Sequence, residues 1–556
     1  MSDEHKLAFI PWRFYLLLAL IGLAVLGLVS RIGDLAILKQ PFLRAQGDQR
    51  ALRLVTGSAL RGSILDRNGY PLAVSALVYT IWANPQHFNA SFSQENALKQ
   101  LIPLSPHKWS QLTHSKKQFL YLARDIPPDL AQKIKVLGIP GVYLVKASHR
   151  YYPEGETTAQ LLGWTNVDDQ GQEGLELAYN SWLSGVAGQQ WVVKDRFGGT
   201  IGTVKTLHAE EAGRNIMLSI DRRIQYIAYR ELVNGVKTYA ATSGSAIVVD
   251  VKTGEILAMV NAPSFNPNVR PTALTSVERN RAITDSFEPG SLIKAFTIAT
   301  ALKSGQYQPD STVDTSPGWM RLGRTIIRDE HDNGVLSLAQ ILQYSSNMGA
   351  SKIVLSLPPD DLWQTLHAAG FGETTDIGLP GEALGTLIYH QPWGQATLAA
   401  LSYGYGLSVT AVQLAQGYMI FANQGIKYPL TLFKSSSPPQ GVPVFTPKVA
   451  NAVLGLLQSI FEKGGTASHI SVPGYLVAGK TGTAWLHGAD GYEKHRYNAS
   501  FVGIAPVTNP QVLVLVTLHD PRSKEYLAGE VAGPVFEKIM AETLQILDVA
   551  PDAPAI

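Results

Sequence analysis

The chain has 556 residues, 45% of them hydrophobic and 16% charged, which is enough for two or three folded domains. Its formal net charge of +2, without a basic block, gives no electrostatic reason to expect a nucleic-acid partner. The chain contains no cysteine, which excludes disulfides and thiolate chemistry, and no His-Glu-x-x-His, calcium-loop or Walker-A pattern indicates a metal or nucleotide cofactor.

A run of 17 residues without charge, from Phe14 to Ser30, lies between Arg13 and Arg31 and predicts a single transmembrane helix. No cleavage site of small residues follows the run directly, which favours an uncleaved anchor over the alternative of a signal peptide. Basic residues occur on both sides of the run, so the distribution of charge does not decide which end faces the cytoplasm.

The segment after this run, residues 31–55, is expected to form a stalk. Strand-like residues then alternate over residues 61–73 around an Asn-Gly pair, the dipeptide that tight hairpin turns prefer. This pattern predicts a β-hairpin. The charges of Arg61, Asp66 and Arg67 are interpreted as holding domains in register rather than as reacting groups.

Two features of the region before residue 215 were open to a functional interpretation. Glu173 and Glu176 could form an acid/base pair for glycan chemistry, but no segment resembles a glycosyltransferase domain, so structural salt bridges are the preferred interpretation. The stretch of about 80–145 is polar and poorly patterned, and we expect a mobile head or insertion that meets partners.

The pattern changes near residue 215, where we place the start of a second domain. Asn215–Asp221 is strand-like, and Arg222–Val236 has helical periodicity. Strand-like runs on both sides of Lys252-Thr253-Gly254 predict a hairpin. The proline- and alanine-rich tail, residues 547–556, has no evident role.

One stretch of the second domain has the pattern of an activated nucleophile. Pro289-Gly290 predicts a turn, and apolar residues recur after it at helical spacing, which places Ser291 at a helix N-terminus. Residues three apart share a helix face, so the Lys294 amine is expected beside the Ser291 hydroxyl. A neutral amine there can act as the base that a serine nucleophile needs.

Lysine is a base only when neutral, and a free pKa of about 10.4 leaves little neutral amine near neutral pH. Apolar neighbours and the positive end of the helix dipole are expected to lower the pKa of Lys294. A shift to about 8 corresponds to about 3 kcal/mol of difference in charge stabilisation.

Ser-x-x-Lys alone is weak evidence, because Ser105-Pro-His-Lys108 repeats it where a helix N-cap followed by proline is the simpler explanation. Two more patterns follow Ser291 in the chain, Ser345-x-Asn347 and Lys480-Thr481-Gly482-Thr483. Each of these also has an earlier copy, before Ser291. The ordered set of three therefore carries more information than any single pattern.

The ordered set Ser291-x-x-Lys294, Ser345-x-Asn347 and Lys480-Thr481-Gly482 resembles the signature of penicillin-recognising serine acyltransferases. Longer words around these motifs resemble class B penicillin-binding proteins, namely Glu288–Lys294, Ser402–Leu407, Gly464–Ala467 and Val477–Ala484. Within that class, the Tyr-Gly-Tyr-Gly word is similar to the transpeptidases of cell division.

The resemblance implies an α+β transpeptidase fold, an antiparallel sheet flanked by helices, with an N-terminal β-rich pedestal and one transmembrane helix. Stretches similar to pedestal motifs of the class are Arg61–Ala73, Tyr152-Pro153, Gly163–Asn166, Glu173–Glu176 and Lys194–Gly198. The implied division is a cytoplasmic tail 1–13, a transmembrane anchor 14–30, a stalk 31–55, a pedestal 56–214, a transpeptidase domain 215–546 and a tail 547–556. The catalytic domain would lie in the periplasm of a bacterial inner membrane.

Site roles follow from the same resemblance, residue by residue. Ser291 would be the nucleophile and Lys294 its base, with Ser345 as proton relay. Asn347 would orient Lys294 and the substrate amide. The resemblance assigns the substrate carboxylate to Lys480, Thr481 and Thr483, and the oxyanion hole to the backbone N–H groups of Ser291 and Thr483. Gly482 would leave room for the substrate backbone beside the strand. No cofactor or metal is implied.

The implied activity is septal peptidoglycan D,D-transpeptidation on stem peptides that end in D-Ala-D-Ala, with β-lactams as inhibitors. The expected partners are the membrane and divisome membrane proteins, including a glycan polymerase. Two alternatives stay open, a D,D-carboxypeptidase that uses water as acceptor and a non-catalytic divisome scaffold.

Overall fold

A computed structural model describes residues 11–57, 59–194, 200–269, 275–435, 440–488 and 491–554. Most of the predicted cytoplasmic tail, most of the Lys194–Gly198 stretch and the last two residues of the tail lie outside these ranges. The chain divides into two compact units, the first made of Met1–Ala59, Leu77–Ser148 and Val186–Glu211, and the second of Leu60–Ala76, His149–Gly185 and Ala212–Ile556.

The helices and strands of the N-terminal part are short, apart from the first helix. In chain order they are α1 Pro11–Gly33, α2 Gln40–Ala51, β1 Leu52–Thr56, β2 Ile64–Leu65, β3 Pro71–Ala83, α3 Phe92–Leu101, α4 Pro106–His114, β4 Leu120–Ile126, α5 Pro128–Val136, β5 Val142–Tyr151, α6 Ala159–Leu162, α7 Gly174–Ala178, α8 Asn180–Leu183, β6 Gln189–Lys194, β7 Thr200–His208 and β8 Ile216–Met217.

The remaining elements belong to the second unit. In chain order they are α9 Arg222–Thr238, β9 Ser243–Asp250, β10 Ile256–Ala262, α10 Arg281–Thr284, a 3₁₀ turn Gly290–Ile293, α11 Lys294–Ser304, β11 Thr312–Asp314, β12 Trp319–Leu322, β13 Thr325–Arg328, β14 Val335–Ser337, α12 Leu338–Gln343, α13 Asn347–Ser356, α14 Asp361–Ala368, β15 Thr386–Leu387, α15 Gln395–Ser402, β16 Leu407–Ser408, α16 Ala411–Ala422, β17 Ile426–Lys427, β18 Val442–Pro443, α17 Pro447–Leu456, a 3₁₀ turn Leu457–Phe461, β19 Ala478–Gly488, β20 Gly491–Ala505, β21 Val512–His519, α18 Ala528–Val531 and α19 Gly533–Ile546.

Helix α1 is the one helix of the described chain that is long and apolar enough to cross a membrane. It has 23 residues and extends past both arginines that bound the uncharged run, which gives a length of about 34 Å. Its apolar side chains are exposed, as Leu17 at 59% and Leu26 at 69% illustrate. A bilayer of about 30 Å matches this length and would cover these side chains.

The stretch of about 80–145 folds around a core of its own in the first unit. Strand β3 pairs antiparallel with β4 and also pairs with β5, and helices α3, α4 and α5 contribute Leu98, Leu112 and Ile134 to the core. The sequence did not indicate this arrangement, because each short helix contributes only one or two buried residues and the periodic signal is weak.

The predicted hairpin around Asn68-Gly69 is confirmed, since β2 pairs antiparallel with β3. Glu176, which is fully buried, accepts hydrogen bonds from Arg61 at 2.6 Å and from Arg150 at 2.7 Å, so the salt-bridge interpretation of this carboxylate is also confirmed. The predicted strand Asn215–Asp221 is shorter than expected, because the strand covers Ile216–Met217 alone, which pairs in parallel with β2, and Leu218 makes an isolated bridge to Phe433.

A five-stranded antiparallel sheet in the order β10-β9-β21-β20-β19 forms the centre of the second unit. Alternate residues of its strands face two cores: Ile247 and Val249 pack with α11 and α16 on one side, and Ala246 and Val248 with α9 and α19 on the other. The predicted α+β fold, a sheet flanked by helices, is confirmed. Two of the three repeats outside the ordered set have structural roles, a hairpin at Lys252–Gly254 and a helix cap at Ser105.

Candidate active site

Ser291 and Lys294 lie one turn apart at the start of a helix whose first two turns are buried. Ser291 is half-buried in the 3₁₀ turn, and Lys294 is the first residue of α11. Side chains three apart eclipse each other in 3₁₀ geometry, and the Lys294 Nζ lies 2.9 Å from the Ser291 Oγ. The sequence therefore predicted this pair correctly.

The Lys294 amine has a complete set of partners for its neutral form. Its Nζ lies 2.5 Å from the Ser345 carbonyl oxygen and 2.7 Å from the Asn347 Oδ1. A neutral amine has two N–H donors and one lone pair, so donation to these two oxygens leaves the lone pair for the Ser291 hydroxyl. This is the arrangement that a base requires.

Burial lowers the pKa of Lys294 well below its ordinary value, and the positive charge of Lys480 lowers it further, while the Asp329 carboxylate acts in the opposite direction. Helix α11 supplies the burial: all its residues from Lys294 to Ala301 are buried, and Phe296 packs its ring against Phe371 and Tyr418. A helix with apolar residues on every side withdraws its first residue from water.

Lys480 approaches the same group from β19. Its Nζ lies 3.2 Å from the Ser345 Oγ and 3.1 Å from the Thr481 carbonyl oxygen, and burial lowers its pKa to about 7. The Lys294 Nζ is also 3.2 Å from the Ser345 Oγ. One hydroxyl therefore connects both amines, which is the arrangement of a proton relay.

Ser345 has the left-handed backbone conformation, with φ of 55°. The N–H of Ser345 donates to the Leu342 carbonyl and that of Ser346 to the Ile341 carbonyl, which is the Schellman ending of helix α12. Glycine usually occupies the left-handed position of this motif, and a serine costs about 1 kcal/mol more there. The serine keeps a hydroxyl at this point of the cleft.

The three residues that follow Lys480 are two threonines and a glycine, which face opposite sides of β19. The Thr481 Oγ1 donates to the Thr466 Oγ1 at 2.9 Å, and the Thr483 Oγ1 accepts from the Ala528 N–H at 3.0 Å. A Cβ on Gly482 would lie 2.7 Å from both the Pro289 carbonyl oxygen and the Leu292 Cγ. Glycine is thus required for the close approach of the strand to the nucleophile turn.

The Tyr-Gly-Tyr-Gly loop forms the other wall of this turn. Gly404 has φ of +87°, and a Cβ there would lie 1.9 Å from the Gly290 carbonyl oxygen. The Gly290 N–H donates to the Gly404 carbonyl at 3.1 Å. The Glu288 carboxylate accepts from the Gly406 N–H at 2.9 Å, which ties the loop to the residues before the nucleophile.

All eight residues singled out from the sequence thus lie around one cleft. No sequence pattern predicted a role for Thr466, although Thr466 lies in the word Gly464–Ala467, and none predicted a role for Asp329. The side chain of Asp329 contacts the Ser346–Met348 segment, but no local pattern around Asp329 points to this contact.

Comparison with known proteins supplies an independent line of observation. The sequence model of the penicillin-binding protein transpeptidase domain matches residues 244–541, and that of the penicillin-binding protein dimerisation domain matches residues 56–218.

Relatives align over nearly the whole chain. The peptidoglycan D,D-transpeptidase FtsI of Escherichia coli is 41% identical over 99% of this chain and 94% of its own length. A Pseudomonas aeruginosa protein named "Probable peptidoglycan D,D-transpeptidase PbpC" is 39% identical over 99% of this chain and 97% of its own length.

Solved structures agree with the sequence relatives. A peptidoglycan synthetase from Bifidobacterium adolescentis, 26% identical, superimposes with a TM-score of 0.72 over 91% of this chain and 98% of its own. The transpeptidase domain of Burkholderia pseudomallei penicillin-binding protein 3, 40% identical, gives a TM-score of 0.56 over 61% of this chain and 98% of its own. With both domains matched in order and relatives aligned from end to end, this chain belongs to the class B penicillin-binding proteins.

Proposed function

We propose that the chain is a septal peptidoglycan D,D-transpeptidase that cross-links stem peptides through an acyl-enzyme on Ser291. The observation that carries this proposal is the buried Lys294 amine, which lies 2.9 Å from the Ser291 hydroxyl and within 2.7 Å of two other oxygens that can accept its N–H groups. The names of the FtsI relatives support the role in cell division.

The first half of the reaction forms the acyl-enzyme. A stem peptide ending in D-Ala-D-Ala binds along β19, with its terminal carboxylate at Lys480, Thr481 and Thr483. Lys294 takes the hydroxyl proton as the Ser291 Oγ attacks the penultimate carbonyl carbon. The N–H groups of Ser291 and Thr483 stabilise the oxyanion, and the Ser291 N–H is free for this because first-turn amides have no partner within the helix.

Collapse of the tetrahedral intermediate breaks the peptide bond. The leaving D-Ala nitrogen receives a proton through the Ser345 hydroxyl, which is within 3.2 Å of both lysine amines. Asn347 keeps the Lys294 amine in place during this transfer. An amine of a neighbouring stem peptide then attacks the Ser291 ester and gives its proton to Lys294, which passes the proton to the Ser291 Oγ as the ester bond breaks and the new peptide bond forms. β-Lactams acylate the same oxygen.

The proposal includes a place in the cell. Residues 1–13 face the cytoplasm, helix α1 contains the anchor 14–30, and the segment 31–55 leads to a pedestal of 56–214 and a catalytic domain of 215–546 in the periplasm. Divisome membrane proteins, including a glycan polymerase, are the expected partners. The length and exposure of α1 support the anchor.

A fluorescent penicillin tests the nucleophile on the full chain in detergent. We expect a covalent adduct that mass spectrometry places on Ser291, loss of labelling in Ser291→Ala with an unchanged circular dichroism spectrum, and a loss nearly as large in Lys294→Ala. Labelling of folded Ser291→Ala would contradict the proposal. Cross-linked dimers from purified lipid-linked peptidoglycan, rather than trimmed monomers, distinguish transpeptidation from carboxypeptidation.

A further inference from the structure

We propose that Asp329, which lies outside the three sequence motifs, is a positioning residue that holds the Ser345–Asn347 turn so that both of its reacting side chains face Lys294. This inference deepens the proposed function and rests on it. Asp329 directly follows β13 and is half-buried beside the start of α13.

The Asp329 carboxylate caps helix α13 from a distant part of the chain. Its Oδ1 accepts from the Asn347 N–H at 2.6 Å and from the Met348 N–H at 2.9 Å, and its Oδ2 accepts from the Ser346 hydroxyl. The Ser346 Oγ in turn accepts from the Gly349 N–H at 2.8 Å. The first three N–H groups of α13 are therefore all partnered, two of them directly by Asp329.

The same segment sets the orientation of the Asn347 amide. The Asn347 Nδ2 donates to the Arg328 carbonyl oxygen at 3.2 Å, so its Oδ1 is the end that faces the Lys294 amine. Arg328 and Asp329 thus hold the side chain and the main chain of Asn347 at once. If the Asn347 amide rotated by half a turn, its Nδ2 would face the Lys294 amine. Two N–H donors would then point at each other with no acceptor between them.

The anchoring residue is itself fixed. The Asp329 N–H donates to the Gly318 carbonyl at 2.9 Å, and Ile327, two residues earlier, packs in a buried cluster with Met348. A left-handed serine such as Ser345 persists only where its neighbours determine its conformation. The three hydrogen bonds that Asp329 accepts from Ser346, Asn347 and Met348 provide this constraint on the C-terminal side of Ser345.

The charge of Asp329 supplies a readout that a purely structural cap would not give. The charged groups that act on Lys294 are Lys480 from β19, which lowers its pKa, and Asp329, which raises it. When the carboxylate charge of Asp329 is removed, it no longer offsets the effect of Lys480 on the pKa of Lys294. The Lys294 pKa then falls, and the rise of the acylation rate with pH moves to lower pH.

The test compares Asp329→Asn and Asp329→Ala with the wild-type full chain in acylation by a chromogenic cephalosporin. Asparagine keeps an acceptor oxygen but removes the charge, so we expect the acid limb of the pH profile to move down by about half a pH unit with a small change in maximal rate. Alanine removes the cap, and we expect the acylation rate constant to fall roughly 10- to 100-fold, with the affinity of the non-covalent complex within about twofold of wild type.

Thr446→Ala is the matched control, because the Thr446 Oγ1 caps α17 at 3.4 Å from the Val449 nitrogen, and α17 carries none of the residues assigned to the site. We expect it to lower the unfolding temperature without a shift of the pH profile. The inference would be overturned if both Asp329 variants, measured per folded molecule, kept the acid limb and the acylation rate of the wild type. Failure of the wild type to form an adduct on Ser291 would instead count against the proposed function.

Discussion

Two lysine amines that contact one hydroxyl define the chemistry of this cleft. Both Lys294 and Lys480 are completely buried, and each Nζ lies 3.2 Å from the Ser345 Oγ. Two ammonium groups this close repel each other strongly away from water, so the two amines do not ionise independently. The neutral form is favoured at Lys294, because the pKa of Lys294 is lowered by burial and also by the charge of Lys480.

The different protonation of the two lysines predicts a bell-shaped dependence of the acylation rate on pH. In the proposed mechanism acylation uses neutral Lys294 and charged Lys480, so we expect its second-order rate constant to rise as Lys294 loses its proton and to fall as pH passes the Lys480 pKa of about 7. The measurement is cephalosporin acylation of the free enzyme from about pH 5 to about pH 10. A rate constant that rises without a maximum across this range would show that Lys480 does not need its charge.

The left-handed conformation of Ser345 predicts that two variants with the same loss of activity differ in stability. Ser345→Gly and Ser345→Ala both remove the hydroxyl, so we expect similar large losses of acylation. Glycine relieves the strain at φ of 55° and alanine does not, so Ser345→Gly should be more stable than Ser345→Ala by about 1 kcal/mol in chemical unfolding. Equal stabilities would mean that this conformation carries no strain.

The nucleophile turn, the Tyr-Gly-Tyr-Gly loop and β19 meet through backbone contacts that side chains would prevent. Gly404 and Gly482 both stand where a Cβ would overlap the turn before Ser291. Helix α11 and the strand come from parts of the chain that are far apart in sequence. Gly482 therefore sets how closely β19 approaches the nucleophile turn, and Gly404 sets how closely the Tyr-Gly-Tyr-Gly loop approaches it.

Gly482→Ala tests this contact. The added Cβ lies 2.7 Å from the Pro289 carbonyl oxygen, so strand and turn must separate. We expect about 1–3 kcal/mol lower stability and a roughly 100-fold slower acylation, because misplacement of reacting groups by about 1 Å has effects of this size.

Gly455→Ala in α17 serves as the control for Gly482→Ala. A Cβ at Gly455 has no heavy atom within 4 Å, and alanine is the better helix residue, so we expect an increase of about 1 kcal/mol in stability and unchanged acylation. Wild-type acylation in Gly482→Ala would show that the contact leaves room for a methyl group.

The second unit as a whole depends on a buried group of three charges as well as on its two hydrophobic cores. Glu176 accepts from Arg61 and Arg150, and the exposed fraction of each of the three side chains is 1% or less. Arg61 also donates to Asn180 and Ser184, and Arg150 to the Gly62 carbonyl. These bonds connect the segments 60–76 and 149–185 of the unit.

Glu176→Gln leaves two buried guanidinium groups without a counter-charge, and we expect a loss of about 3–5 kcal/mol in the free energy of unfolding. The group contains no reacting residue, so penicillin acylation per folded molecule should stay at the wild-type rate. Thermal unfolding of the full chain in detergent measures the loss. Glu373→Gln removes an exposed carboxylate that lies 3.7 Å from the His367 Nε2 and should cost less than about 1 kcal/mol, and a similar effect of both variants would contradict the prediction.

Local patterns in the amino-acid sequence were sufficient for much of the site. Ser291 and Lys294 are three residues apart, so helix geometry alone brings them together, and the decoys at Ser105 and Lys252–Gly254 were recognised from turn and cap chemistry. The weakly patterned stretch of about 80–145 was not recognised as folded, because its core is assembled from one or two residues per helix.

The reactivity of the site arises only in the folded chain. The Lys294 pKa falls because α11 is enclosed on all sides and because Lys480 arrives on a strand from a distant part of the sequence. Likewise, Asp329 follows β13 but caps α13, and β14 and α12 lie between these two elements in the chain. Desolvation and charge interactions act through space, so they depend on neighbours that no short stretch of sequence contains, whereas helix periodicity and turn chemistry act between adjacent residues and can be read directly.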